Sequence, residues 1–261
     1  MEMLLESADC DVRVIALVGE RGREVAAFVQ ALRASAHAAR TIIVQATSDT
    51  SPAIRVNAAM VATRVAEDFR RRGQRVLLVM DSITRYARAL RDVALAAGEP
   101  PARRGFPASV FEALPRLVER PGTTAGGSIT AFYTVLLEDD SDGDPVGEEV
   151  KSLLDGHIHL SGRLAQRGHF PAVDVLRSAS RLFLQLASPA QRQSAQAVRG
   201  LLARLDDMQL LRDIGEYTPG VQPEQDHAIA REPRLHAFLQ QDRHAHAAWA
   251  DSLEALHDLA R

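Results

Sequence analysis

Three short stretches hold the residues best equipped for chemistry. In RVLLVMDSITRY (75–86) an apolar run, Val76 to Met80, stops at Asp81, and a polar, helix-starting stretch follows. A carboxylate at the end of a buried run is how nucleotide-hydrolysing enzymes hold a magnesium ion through its water shell. The same pattern also caps helices, and read alone Asp81 fits either role. In GERGRE (19–24), Glu20 and Arg21 follow another apolar run. A carboxylate there can orient an attacking water and take its proton, with Arg21 steadying a phosphate or the carboxylate itself. A plain Glu–Arg loop pair is the alternative. In RSASR (177–181), Arg181 follows small polar residues. It is either an arginine that reaches a neighbour's phosphate site and stabilises transition-state charge, or a surface arginine.

Other residues carry weaker signals. His157, His159 and His169 resemble a ligand spacing only loosely, with no carboxylate or cysteine spaced to join them. Cys10 is the single cysteine, lies among polar residues and reads as a bystander. The acidic stretch LLEDDSDGDPVGEE (136–149) reads as a solvated loop whose spacing misses the EF-hand pattern.

These residues need a scaffold. RVIALVG (13–19), RTIIVQAT (40–47), RVLLVMD (75–81), SITAFYTVLL (128–137) and GHIHLS (156–161) are β-rich or continuously apolar. They suit strands buried on both faces of a parallel sheet. Between the second and third run, Ile54, Ala58, Val61, Val65 and Phe69 recur at helical spacing, and Ser51-Pro52 marks a helix start. Strand–helix–strand repetition implies an α/β fold with βαβ units. Ligands of such sheets sit at the carboxyl ends of the strands. Glu20 and Arg21, then Thr47, Ser48 and Asp49, then Asp81 and Ser82 all fall there. From about residue 186 to Arg261 only helical periodicity remains. Leu201, Leu202, Leu205, Met208 and Leu211 form one stripe, and Trp249, Leu253, Leu256 and Leu259 another, with GEYTPGVQPEQD (215–226) as connector. The expected division is 1–185 for the α/β core and 186–261 for a helical domain.

Composition narrows the classes. A chain of 261 residues with 46% hydrophobic residues can bury a sizeable core. A formal net charge of −3 argues against a nucleic-acid binder, and one cysteine excludes an internal disulfide framework and fits a reducing compartment. The first ten residues lack the basic region of a signal peptide. No stretch approaches the roughly 18 apolar residues of a membrane helix, so membrane contact is expected only through partners.

Together these segments resemble the ATPases of type III secretion systems and of the flagellar export apparatus, relatives of the catalytic subunits of rotary F-type ATPases. The resemblance runs through GERGREV (19–25), QATSDTSPAIR (45–55), the long stretch VLLVMDSITRYARALRDVALAAGEPPARRGFPASVFEALPRLVERPG (76–122), GSITAFYTVLLEDD (127–140), LLDGHIHLSGRLAQRGHFPAVDVLRSASR (153–181) and GEYTPG (215–220). It covers residues from about 12 to about 240, with the virulence branch nearer than the flagellar one. It implies a RecA-like P-loop NTPase sheet, incomplete at its N-terminus, followed by an all-helical subdomain. It implies ATP and Mg2+ as ligands. Glu20 then matches the glutamate that activates water, Arg21 its phosphate-sensing neighbour, Asp81 the Walker B aspartate and Arg181 an arginine finger acting on the adjacent subunit. Phe170 stands where relatives usually carry a tyrosine near the adenine, and SGRL (161–164) departs from the more usual SRxL.

One departure matters more. The phosphate-cradling motif G-x-x-x-x-G-K-S/T occurs nowhere in the chain, and the only lysine, Lys151, follows EEV rather than a glycine loop. The resemblance places that loop before residue 1, with MEMLLES matching the helix after it. The expectation is a chain that by itself does not bind or hydrolyse ATP appreciably, with strand edges left unpaired beside the missing strand. The resemblance further implies a homohexameric ring, cytoplasmic and peripheral at the inner-membrane export apparatus. Its implied partners are export-gate, stalk and stator proteins and chaperone–effector complexes. Two other readings stay open: a rho-type RNA-dependent ring helicase, which also carries a DSITR segment, and a ring component that keeps the fold without hydrolysis.

Overall fold

The structure is a computed structural model that describes residues 2–137, 143–243 and 245–261. The chain divides into two compact units, Met1–Leu154 and Asp155–Arg261.

In the first unit the elements are α1 (Glu2–Ser7), β1 (Val12–Val18), α2 (Gly22–Ala34), β2 (Thr41–Ala46), α3 (Pro52–Arg71), β3 (Arg75–Asp81), α4 (Ile83–Ala96), α5 (Ala108–Val118), β4 (Gly122–Thr123), β5 (Ser128–Tyr133) and α6 (Pro145–Leu153). The sheet order is β2-β1-β3-β5-β4. The first four strands are parallel, in a register that sets Leu17 opposite Asp81. Short β4 pairs antiparallel to the start of β5. Continuous Val/Ile/Leu runs make β1 and β3 the central strands, and both lie almost wholly inside. Val14, Val76, Leu78 and Met80 pack with helices α3 to α6 on one face. Ile15, Leu17, Leu77 and Val79 pack with Leu5 and Val25 on the other. Alternate residues of one strand thus serve two cores. Helix α3 begins where the sequence predicts, with the Ser51 hydroxyl accepting from Ile54 N and Pro52 at the first turn.

Three expectations change. The 128–137 run leaves the sheet after Tyr133, because its next residues are drawn onto the start of α4. Ile83 N donates to Thr134 O (3.0 Å) and Leu136 N to Thr84 Oγ1 (2.8 Å). The strand RTIIVQAT is a sheet edge, half-buried rather than covered on both faces. The acidic stretch does not stay a loop: Asp144 caps α6 by accepting from Val146 N and Gly147 N, while residues 138–142 lie outside the described residues.

The second unit holds β6 (Gly156–Leu160), α7 (Gly162–Gln166), β7 (Val173–Ser180), α8 (Phe183–Leu186), α9 (Pro189–Asp213), α10 (Pro223–Leu239) and α11 (Trp249–Ala260). GHIHLS does not join the parallel sheet. It pairs antiparallel with β7 in a separate two-stranded sheet, with a register shift between His157 and His159. The division into compact units at 154/155 puts β6 and β7 in this unit. Helix α9 packs on α10 and α11 around Val198, Leu201, Ala228, Leu235 and Leu259. Of the two predicted stripes, Leu201, Met208 and Leu259 are buried, whereas Trp249 is 71% exposed.

Candidate active site

The site forms at the carboxyl ends of β1, β2 and β3, as the parallel sheet requires. After β1 the chain turns at Gly19, whose φ of +75° is left-handed. A Cβ there would lie 3.0 Å from Arg85 Cδ and 3.1 Å from Arg85 Cβ, so the turn also needs glycine for space. Three bonds fix it. Gly19 N donates to Ala46 O (2.6 Å), Ser48 N donates to Glu20 O (2.9 Å), and Arg85 Nη1 donates to Gly19 O (2.6 Å). Ser48, predicted only as a strand-end residue, thereby acts through its backbone.

Glu20 faces inward, with its side chain 14% exposed. Arg85 Nε lies 2.8 Å from Glu20 Oε1, yet the Nε–H is not aligned on that oxygen and is a buried donor without an acceptor. The contact is an ion pair rather than a formed hydrogen bond. Burial pushes the Glu20 carboxyl above its ordinary pKa, the nearby Asp81 charge pushes the same way, and Arg85 pulls it back. A carboxyl tuned upward is a stronger base once ionised.

Asp81 ends β3 half-buried, one strand over from Glu20. It does not cap α4; the Ser82 hydroxyl does, accepting from Arg85 N at 3.3 Å. Instead Asp81 Oδ1 accepts from Thr134 Oγ1 at 2.5 Å. A strand-end carboxylate oriented by a neighbouring hydroxyl, with oxygen lone pairs left over, has the donor chemistry for a hydrated divalent cation.

Arg21 is at most a weak partner of Glu20, its pull on that carboxyl the smallest of the charges that act there. It points outward, 65% exposed, and pairs with Glu24 at 3.2 Å. The counter-charge is Arg85, which sequence reasoning missed. A signal was present: a cation in the first turn of a helix opposes the helix dipole, so Arg85 needed a carboxylate close by. Thr134 was missed because its role arises only where the chain leaves β5.

Phe170 and Arg181 belong to the second unit. Phe170 is 57% exposed, and its carbonyl accepts from Gln241 N at 2.9 Å. Its neighbour His169 is buried, stands 5.6 Å ring to ring from His236, and accepts at Nδ1 from Gln240 Nε2 at 3.3 Å. Burial first, and His236 second, hold the His169 pKa below its ordinary value. Arg181 follows β7, its backbone N donating to Asp155 O at 2.7 Å. The His157 ring Nε2 is used on Arg177 O (2.9 Å). Among the described residues no three His, Cys, Asp or Glu side chains converge as a metal cluster, and no helix is long and apolar enough to cross a membrane.

Residues 1–180, which carry Glu20, Asp81 and Arg85, match the model of the ATP synthase alpha/beta family, nucleotide-binding domain. The chain belongs to that family. Residues 187–258 match a second model, the T3SS EscN ATPase C-terminal domain, so the likeness to type III secretion ATPases extends through the helical part. This family chain is 54% identical over 260 residues to the SPI-1 type 3 secretion system ATPase of Salmonella typhi, covering 100% of itself and 60% of that relative. It superimposes on the assembled ATPase EscN of the enteropathogenic E. coli type III secretion system with a TM-score of 0.95 at 46% identity, covering 100% of itself and 63% of that chain. EscN in complex with its central stalk EscO gives a TM-score of 0.92 at 45% identity, with 62% of that chain covered. The chain thus spans about 60% of the length of the curated relative quoted. The expected fold class and family are both found, and the carboxyl-terminal match favours the secretion reading over the rho-type one.

Proposed function

We propose that this chain is the hydrolytic core of an ATP-driven motor subunit in a bacterial type III protein secretion apparatus. The observation that carries the reading is the inward-facing Glu20, beside Asp81 and countered by Arg85. In this reading Glu20 takes a proton from the water that attacks the terminal phosphorus of ATP, while the bond from that phosphorus to the bridging oxygen breaks and ADP leaves with the electron pair. Arg85 holds the Glu20 carboxylate in place until that transfer. Arg21, free to leave its exposed pair with Glu24, senses the phosphate. Arg181 takes up negative charge in the neighbouring subunit's site, and Phe170 stacks on the adenine. Asp81 and Thr134 would hold magnesium through its water shell, and the ion supplies charge neutralisation to the phosphates when bound.

The ring is a homohexamer, cytoplasmic and peripheral at the export apparatus. Turnover drives chaperone release and effector export. Its partners are the export gate, a stalk protein, stator proteins and chaperone–effector complexes. The EscN–EscO complex supports the stalk partner in particular.

The chain carries no G-x-x-x-x-G-K-S/T loop, so in this reading the backbone N–H cradle and lysine that hold the phosphates are supplied from outside these residues, by a joined segment or by a separate chain. The test compares phosphate release by this chain alone with release by the same chain joined to the P-loop-bearing segment of a relative. The joined form is expected to turn over and the chain alone to be inert. Normal turnover by the chain alone would overturn the P-loop requirement. An inert joined form would overturn the hydrolytic reading, and stimulation of it by RNA would favour a helicase.

A further inference from the structure

Strand β7 is unusual in how its backbone is satisfied. Around the register shift its inner stretch is bonded by side chains rather than by the strand ladder. Asp174 O accepts from Ser178 Oγ (2.6 Å), Val175 O from Arg199 Nη1 (2.6 Å), Leu176 O from Arg199 Nη2 (3.2 Å) and Arg177 O pairs with the His157 ring (2.9 Å). Ser178 O accepts a further, longer bond from Arg199 Nη1 (3.4 Å). On the donor side, Leu176 N and Arg177 N both donate to Asp174 Oδ1 (3.1 and 3.0 Å). Five successive carbonyls therefore have side-chain partners, and one residue, Arg199, serves three of them.

Arg199 lies on α9, the longest helix of the unit, with 25 residues. Its planar fork can span carbonyls that point in different directions, which a lysine's point charge cannot. Three residues beyond Ser178 the strand delivers Arg181, whose backbone is fixed to Asp155. We propose that Arg199 is a positioning residue: it locks the irregular segment of β7 to α9 and so sets where Arg181 is presented. The inference rests on the reading of Arg181 as a finger that acts on the adjacent subunit. It ties the helical part of the chain to the nucleotide site of a neighbour through a single guanidinium.

Two measurements test it. In the 261-residue chain, Arg199→Ala is expected to speed amide exchange at Leu176 and Arg177 at least about tenfold while α10 keeps its rates, as befits a local opening. Unchanged exchange at those two amides overturns the inference.

In rings of the chain joined to the P-loop segment, Arg199→Ala is expected to lower kcat roughly 10- to 100-fold with KM for ATP unchanged, the scale of a small misplacement of a catalytic group. Arg199→Lys is expected to fall well short of full kcat, and full activity with lysine also overturns the proposal. Should the alanine variant fail to fold, the lysine variant carries the kinetic test. The decisive arm is mixing. Rings made from Arg199→Ala and Glu20→Gln subunits contain interfaces that join an intact Glu20 to an intact, well-placed Arg181. Random placement in a ring of head-to-tail interfaces returns about a quarter of the full rate, whereas each variant alone is nearly inactive. A variant whose own fold had failed would not complement. The control mixes Arg181→Ala with Glu20→Gln. If the control recovers activity and the Arg199 mixture does not, the positioning role is wrong and the finger stands. If neither recovers, the finger reading fails, and the inference with it.

Discussion

Arg85 Nε lies 2.8 Å from Glu20 Oε1, and the same side chain donates through Nη1 to Gly19 O at 2.6 Å. One arginine from the first turn of α4 therefore holds both the backbone that carries the glutamate and the glutamate's charge. Burial and the Asp81 charge push the Glu20 pKa upward, and Arg85 works against both.

The first prediction concerns this pair in the P-loop-joined chain. Glu20→Gln removes the base and is expected to lower kcat by about 10²- to 10⁴-fold while nucleotide binding persists. Because the Glu20 pKa is raised, the acid limb of the kcat–pH profile should lie above the range of an ordinary carboxylate. Arg85→Ala removes the cation that pulls the pKa down, so it should move that limb to still higher pH. A limb that moves downward in Arg85→Ala would contradict the electrostatic assignment.

A second prediction concerns Asp81. Thr134→Val removes the hydroxyl that donates to Asp81 Oδ1 at nearly constant volume. Loss of an orienting outer partner typically costs about 10- to 100-fold in metal affinity. The magnesium concentration for half-maximal hydrolysis should rise accordingly in titrations at fixed nucleotide.

A third prediction follows from Glu67 and Arg120. Arg120 Nε and Nη2 each donate to a Glu67 oxygen at 2.7 Å, and both side chains are largely buried. These bonds first, and a further one from Arg64 Nη1 (3.1 Å), hold the Glu67 carboxyl at about 2, below its ordinary 4.5. The folded pKa is depressed, so the stability this pair contributes is present above pH 4.5 and is lost as pH falls from there towards 2. Arg120→Ala is expected to destabilise the chain by about 2 kcal/mol at pH 7 and by much less near pH 3, read from urea unfolding at the two pH values.

A fourth prediction tests the backbone. A Cβ at Gly127 would meet Arg70 O at 2.5 Å and Gln74 O at 2.7 Å, both main-chain atoms that cannot swing aside. Gly127→Ala must shift the end of α3 or the start of β5, at a cost of about 1–3 kcal/mol. Gly162→Ala, which meets nothing within 4 Å, serves as the control in the same melts.

Much of this was legible in the residues. The apolar runs RVIALVG and RVLLVMD were legible as strands because parallel strands covered on both faces must be apolar throughout, though the same reading was extended to RTIIVQAT, which is an edge. Ser51-Pro52 marked the start of α3 through local capping chemistry alone. What stayed hidden depended on contacts between segments far apart in the chain. The Arg85–Glu20 pair joins residues more than sixty positions apart, and no local spacing encodes which carboxylate an arginine will meet. GHIHLS read as another parallel strand because a short apolar run does not state its direction. Its antiparallel pairing with β7 was decided by a partner, VDVLRSAS, whose polar content concealed it.

The division of labour between Gly19 and Arg85 has a mechanical side. Glu20 hangs from the turn after β1, but its charge is balanced by a side chain that belongs to α4, and α4 packs on α3, α5 and α6. A shift of that helix that drew the guanidinium away would remove the charge that lowers the Glu20 pKa, and the proton affinity of Glu20 would rise. A load that displaced α4 would thus be felt at this carboxylate as a change in basicity.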